Sequence, residues 1–234
     1  MTRIHETIPL EQMPNGSGLF RDYALKLGTP VHASIGEFRA DAKDWRVAAG
    51  RKFRADGRLV ARLVEWNRAL GAGPAVLDGL RGLGDGSVRA VITGQQPGVA
   101  GGPLMTLHKV AAACALARTL ERAQGVRCVP LFWMGADDDD FTEIREMVAL
   151  AGDLSLVSSS IASGAYVPGR RIGDIDAAAI QEVWSAVAPH LPAGAGADVA
   201  SWIAGSRDLG DAAARCIVKL TGGEVAVVDG REPL

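Results

Sequence analysis

The sequence predicts an α/β protein in which a parallel sheet carries flanking helices, an N-terminal helical extension and an inserted β-hairpin. Three observations carry that prediction. The run VRAVIT, Val88 to Thr93, is apolar and rich in β-branched residues and stops abruptly at Gly94, as a strand does when it delivers the chain into a loop. The segment LMTLHKVAAACALARTLERAQG then places Leu107, Val110, Ala111, Cys114 and Ala117 on one helical face and Arg118, Glu121 and Arg122 on the other. Finally, VRCVPLFWMG is a nearly continuous apolar run of strand length, the pattern of a parallel strand covered on both faces. Strand, helix and strand in this order make a βαβ unit.

The remaining elements follow along the chain. Residues 1–33 read as an N-terminal arm, polar at first with a PNGSG cluster and then a short helix ending at Gly28. Residues 34–234 read as the α/β core. A helix is expected from Ser34 to Leu70, because Trp45, Val47, Phe53, Leu59, Leu63 and Trp66 recur at helical spacing. Arg51, Lys52, Arg54, Arg58 and Arg62 lie among them, either as a solvated face or as a basic surface turned toward a nucleotide. PAVLDGLRGL is a second helix. Pro103 suits the first turn of the long helix and Gly125 its stop. Pro130 argues that its strand lies at an edge or carries a bulge, since proline removes a ladder donor. MVALAGDLSLVSS, with Gly152-Asp153 between alternating runs, predicts a hairpin near 147–159. Helices are expected from Asp174 to Leu191 and over SRDLGDAAARCIVKLTGG. EVAVVDG reads as a third parallel strand; no helix follows it, so it is expected to leave apolar surface uncovered.

Composition excludes several functions. The chain has 25 lysines and arginines against 27 aspartates and glutamates, a formal charge of −2. No basic excess therefore points to nucleic acid or to an anionic membrane. With 48% hydrophobic residues it can bury a sizeable core. Cys114, Cys128 and Cys216 are odd in number and set in apolar surroundings, which reads as reduced core thiols rather than a disulfide framework. The opening MTRIHETIPLEQMPNGSG has no apolar signal region, and stretches such as VAAACALA fall far short of the roughly 18 residues of a membrane span. A cytoplasmic location is expected.

Two segments can carry chemistry. In TGQQPGVAGGPLMTLHK, Thr93 to Lys109, the glycines let backbone amides approach a ligand and the helix start offers N–H groups to an anion. The segment matches neither the P-loop nor the strict G-x-G-x-x-G fingerprint, and a tight strand-to-helix turn would use the same residues. His108 and Lys109 lie about one and a half turns into the helix. Helical side chains lean toward the N-terminus, so both can reach a ligand at the loop; His108 reads equally as a core or capping histidine. Lys109 can supply charge to a phosphate or carboxylate, and Gln95 and Gln96 offer amide groups. The second segment is Asp137, Asp138, Asp139 and Asp140, followed by Glu143, directly after the second strand. It belongs beside the glycine loop, where ligands of open parallel sheets bind. Its carboxylates repel one another, so single Asn substitutions at Asp138 or Asp140 should leave stability unchanged or raise it. A cation, an ammonium group or Mg²⁺ with a substrate phosphate would suit the run; so would a solvated turn with an aspartate N-cap.

Taken together, TGQQPGVAGGPLMTLHK and VPLFWMGADDDDFTEI resemble the signature of the BshC family, cysteine-adding enzymes of bacillithiol biosynthesis. LFRDY from Leu19 and the helix leading into EVAVVDG extend the resemblance over the chain. It implies a Rossmann-like core and the addition of cysteine to glucosaminyl malate through an amide bond. Carried over by motif, it implies a pocket of Gly94, Gln95, Gln96, Gly98, Gly102, Thr106, Lys109 and Glu143, with His108, Asp138 and Asp140 as acid-base candidates. No residue is assigned as a metal ligand. ATP or another nucleotide is a chemical expectation for amide formation. Two departures matter. The family usually has histidine where this chain has Asp139, and its later core elements and long coiled coil are missing, since the sequence shows no sustained heptads. The sequence thus reads as the N-terminal half of a cysteine ligase, incomplete relative to the family and completed by self-association or a companion chain. Its rivals are a truncated, non-catalytic ligand-binding or interaction module that pairs with a second chain, and a fragment of a longer product.

Overall fold

The computed structural model describes residues 53–192 and 196–232. The arm at 1–33 and the part of the first helix expected over 34–52 lie outside the described residues. Helix α1 spans Gly57–Leu70. It starts where the Asp56 carboxylate accepts the amides of Arg58 and Leu59, at 2.8 and 3.2 Å, which satisfies two otherwise orphaned donors. The expected helix is therefore corrected at Phe53, which precedes this cap and is 72% exposed. Val60, Leu63, Val64, Asn67 and Leu70 form the buried face of α1. Arg58 and Arg62 are exposed and pair with Asp56 and Glu232.

Helix α2 (Pro74–Asp85) leads into β1 (Arg89–Gln95), then α3 (Leu104–Gln124) and β2 (Cys128–Met134). Gly125 adopts φ 64° and ends α3, a left-handed cap that glycine accepts without strain. A four-residue turn of helix, α4 (Phe141–Ile144), precedes the antiparallel hairpin β3 (Glu146–Leu150) and β4 (Leu156–Ser160). The chain continues through α5 (Ala177–Val187), α6 (Ala197–Ala204), α7 (Leu209–Leu220) and β5 (Ala226–Asp229). The strands β1, β2 and β5 form a parallel sheet in that order.

Pro130 is thus in the central strand, contrary to its expected edge position. The register explains the tolerance. Pairing with β5 begins only at Leu131, so at Pro130 the strand has a neighbour on the β1 side alone, and it is locally an edge. The helix expected over Asp174–Leu191 is shorter than its pattern. Asp176 caps it through the Ala178 amide at 2.8 Å, and from Ala188 the chain passes into a 3₁₀ turn containing Pro189, which cannot donate to a continuing α-helix. Helix α6 carries no expectation from the sequence, because the alanine and glycine around it blur its short pattern.

Strand β5 is also corrected. Val225, Ala226 and Val227 are fully buried, and Val228 is nearly so. The helices that cover it, α1, α2 and α7, precede it in the chain. Its outer edge is closed by Asn67 of α1. The buried amide accepts the Val227 N–H at 2.7 Å and donates to the Val227 carbonyl at 2.9 Å, as a neighbouring strand would. The core around β2 and β5 takes side chains from α1, α2, α3 and α7. A second core joins the hairpin, α5, α6 and α7 through Ile161, Ile180, Trp184, Ile203 and Cys216. The three cysteines are free. Burial pushes the Cys128 thiol up to about 11 and the Cys216 thiol to about 12, so both are neutral at physiological pH. No helix among the described residues is long and apolar enough to cross a membrane.

Candidate functional site

The carboxyl ends of β1 and β2 are where a parallel α/β sheet presents its ligands. Gly94 is the next-to-last residue of β1, and a larger residue would force a shift there, since a Cβ would lie 2.8 Å from the Trp133 carbonyl oxygen. The loop that follows folds onto itself. A Cβ at Gly98 would sit 2.7 Å from the Gly102 Cα, and Gly101 and Gly102 have φ of 94° and 91°, where side chains are strained.

Helix α3 begins immediately beyond, with Pro103 as its N-cap and no side chain capping it. Thr106 is fully buried in the first turn. Its Oγ1 has no hydrogen-bond partner, and a Cβ on Gly102 would lie 3.1 Å from it, so the hydroxyl sits under the glycine loop. An uncapped helix start with an unpaired hydroxyl beneath it can receive an anion.

Lys109 reaches back from α3, donating to the Gln95 Oε1 at 2.7 Å and to the Gly94 carbonyl at 3.3 Å. Gln95 in turn donates to the Glu143 carboxylate at 3.4 Å, and Gln96 to Asp138 Oδ2 at 2.7 Å. The two glutamines thus stitch the glycine loop to the acidic segment. A cleft of about 270 Å³ lies between them, lined by Gln95, Gln96, Gly98, Gly102, Leu104 and Glu143 and walled by Met147 and Val148 of β3.

Within the acidic segment the four aspartates differ. Asp138 Oδ1 accepts the amides of Asp139 and Asp140 at 2.7 and 3.2 Å. The Gln96 hydrogen bond, aided by those two amides, holds the Asp138 carboxyl below its usual range. Asp140 caps α4 through the Glu143 amide at 3.2 Å. Asp137 and Asp139 are exposed. Among the described residues no group of three or more His, Cys, Asp or Glu side chains is arranged to hold a metal. With both Asp138 oxygens committed, the run is not a preformed Mg²⁺ cage.

The structure places Gln95, Gln96, Gly98, Gly102 and Glu143 on the lining of one cleft, and Gly94, Thr106, Lys109, Asp138 and Asp140 behind that lining, joined to it by the bonds and packing just given. His108 stands apart. It is exposed on the strip of α3 that carries Leu104 and Met105, and among the described residues it makes no hydrogen bond or ion pair. Four contributing residues were not legible in the sequence. Met147 and Val148 read as hairpin residues, and nothing local says that the hairpin leans over the loop. Tyr166 donates its hydroxyl to the Asp139 carbonyl at 2.8 Å and stacks on Phe141 at 4.6 Å. Arg231, just past β5, lies in a cluster with Asp174, Asp208 and Asp229; the only hint was an arginine at the carboxyl end of a strand.

The model of the family described as "Bacillithiol biosynthesis BshC, N-terminal Rossmann-like domain" matches residues 6–221. The chain belongs to this BshC family. Over 93 residues it is 46% identical to the candidate cysteine ligase BshC of Bacillus cereus (strain B4264). It is 44% identical over the same length to the counterparts of Bacillus thuringiensis (strain Al Hakam) and Bacillus anthracis (strain CDC 684 / NRRL 3495). Each match covers 40% of this chain and 17% of the relative.

Proposed function

We propose that this chain provides the substrate-holding site of a cysteine ligase that joins cysteine to glucosaminyl malate by an amide bond in bacillithiol biosynthesis, in the cytoplasm. The observation that carries the reading is the pair of glutamine bridges, Lys109–Gln95–Glu143 and Gln96–Asp138, which make one cleft of the two segments that resemble the BshC signature. The α3 N-terminus on its lining favours an anion, with Lys109 held just behind Gln95. Glu143 and Glu146 on the same lining favour an ammonium group. That polarity suits a zwitterionic amino acid or an amine-bearing acid. Forming an amide requires an activated carboxylate, which a nucleoside triphosphate would supply when bound. The protein's own residues would hold the anionic group, orient the amine and accept its proton. Of the three acid-base candidates, Asp138 and Asp140 adjoin the cleft through Gln96 and the Glu143 amide, whereas His108 stands apart from it.

The test is a Lys109→Met variant, which keeps the stem and removes the charge. Citrate, malate and ATP should raise the melting temperature of the native chain. The variant should bind them about tenfold more weakly, a loss of about 1.4 kcal/mol in line with one partly buried charge at a helix N-terminus. Flat thermal shifts in the native chain, or unchanged affinity in the variant, would remove the glycine loop and Lys109 from the proposal.

A second reading is a non-catalytic module completed by another polypeptide or by a second copy. It is favoured by the outer edge of β1, which has no strand partner among the described residues, and by Ile92 and Trp133 beside it, 63% and 44% exposed. Mass spectrometry of amide product formed from cysteine and glucosaminyl malate, with and without cell extract, separates the two readings.

A further inference from the structure

The acidic loop, Ala136 to Asp140, is held from behind by a segment that the proposed chemistry does not use. The Ile172 amide donates to the Asp138 carbonyl at 2.8 Å and the Gly173 amide to the Ala136 carbonyl at 3.0 Å. Two peptide groups of one 3₁₀ turn therefore set the height and direction of the loop. That turn is itself fixed by a single buried side chain. Arg231, 9% exposed, donates to the Gly173 carbonyl at 2.7 Å and to Asp174 at 2.9 Å. It also pairs with Asp208, the N-cap of α7, at 3.0 Å, and with Asp229, the last residue of β5, at 2.7 Å.

The packing around this guanidinium leaves no slack. A Cβ at Gly173 would lie 2.6 Å from the Ala136 side chain and 2.9 Å from Arg231 Nε. A Cβ at Gly210 would collide with Arg231, and one at Gly230 would collide with Asp137. The first residues of the acidic loop thus rest directly on the backbone that flanks Arg231. The planar fork of arginine can serve three carboxylates and a carbonyl at once, which lysine cannot do.

We propose that Arg231 is the positioning residue of the candidate site. Through Gly173 and Ile172 it locks the acidic loop in the geometry that lets Asp138 meet Gln96. The role of the loop in ligand binding rests on the function proposed above; the clamp itself does not.

Arg231→Met, Arg231→Lys and Asp174→Asn variants of the full chain test this by amide hydrogen exchange and by the NMR signal of the Gln96 side-chain amide. In Arg231→Met the Ile172 and Gly173 amides should exchange roughly tenfold faster or more, as for a local opening, while the amides of α2 keep their protection. The Gln96 signal should move toward its free position, and affinity for citrate should fall. Arg231→Lys should recover part of each effect, and Asp174→Asn should give a weaker version. Arg215→Met, which breaks the Arg215–Asp211 pair on α7, should leave Ile172, Gly173 and Gln96 unchanged. If Arg231→Met does not fold, Arg231→Lys and Asp174→Asn carry the same readouts. Unchanged Ile172, Gly173 and Gln96 signals in the folded variants, or a uniform loss of protection across all elements, would overturn the clamp. A native chain that ignores citrate while the variants show the local pattern would sink the ligand reading and leave the clamp standing.

Discussion

Asn67 shows how one side chain can finish a sheet. It lies in the middle of the buried face of α1, where helix periodicity calls for an apolar residue, and it donates to the Leu63 carbonyl as well as serving Val227. Replacing it by leucine keeps the branching at Cγ but adds bulk and leaves the Val227 N–H and carbonyl buried without partners. Each such group costs about 1–3 kcal/mol, so Asn67→Leu should lose about 2–6 kcal/mol in urea unfolding, with little change in m-value. A loss below 0.5 kcal/mol, a surface-like value, would mean that Val227 finds another partner. No local signal marks Asn67 in the sequence, since its partner is 160 residues away. Lys109 and the two glutamines were legible for the opposite reason: they stand within one strand-loop-helix passage whose glycines and proline announce the turn.

At the scale of elements, legibility followed the length and purity of the pattern. The helices α2, α3 and α7, the strands β1 and β2 and the hairpin all stand where periodicity and breakers put them. Helix α6 and the start of α1 depend on a short pattern and on the Asp56 cap, which periodicity does not weigh. The acidic segment adds to its expectation. Read as a row of like charges, it should keep its stability or gain some when Asp138 becomes Asn. Folded, Asp138 is the knot of its loop, accepting Gln96 and two backbone amides. Its carboxyl is held below the usual range in the folded chain, so its contribution is present above the unfolded value and is lost as pH falls through the folded one. The group is exposed and screened, so the effect on global stability is small. The local effect is what an experiment should read: the Gln96 side-chain amide signal should hold steady from neutral pH down to the carboxylate range and then shift as Asp138 protonates. Asp138→Asn should show the shifted signal at every pH. A Gln96 signal indifferent to both acid and substitution would show that the bridge is not formed in solution.

For the whole molecule the two edges of the sheet are unequal, and that asymmetry decides where further surface can be buried. At β5 the edge is sealed by Asn67 and the faces by helices packed on it. At β1 seven residues run along an edge that meets no strand among the described residues. Ile92 and Trp133 lie on one face beside it, because Ile92 pairs with Leu131 and side chains alternate along a strand. An open edge next to exposed apolar side chains is a template for strand addition, and natural proteins blunt such edges with charge when they must stay monomeric. Arg89 stands at the start of β1, and Ala90 to Gln95 add no charge. The chain should therefore associate as concentration rises, and Ile92→Lys should suppress association without destabilising the fold, since Ile92 is already 63% exposed. Sedimentation of both forms from about 1 to 100 µM, a range that brackets weak association, checks this. A native chain that stays monomeric throughout, or an Ile92→Lys variant that associates equally, would place the contact elsewhere, with the exposed Leu150, Leu154 and Leu156 at the hairpin tip next in line.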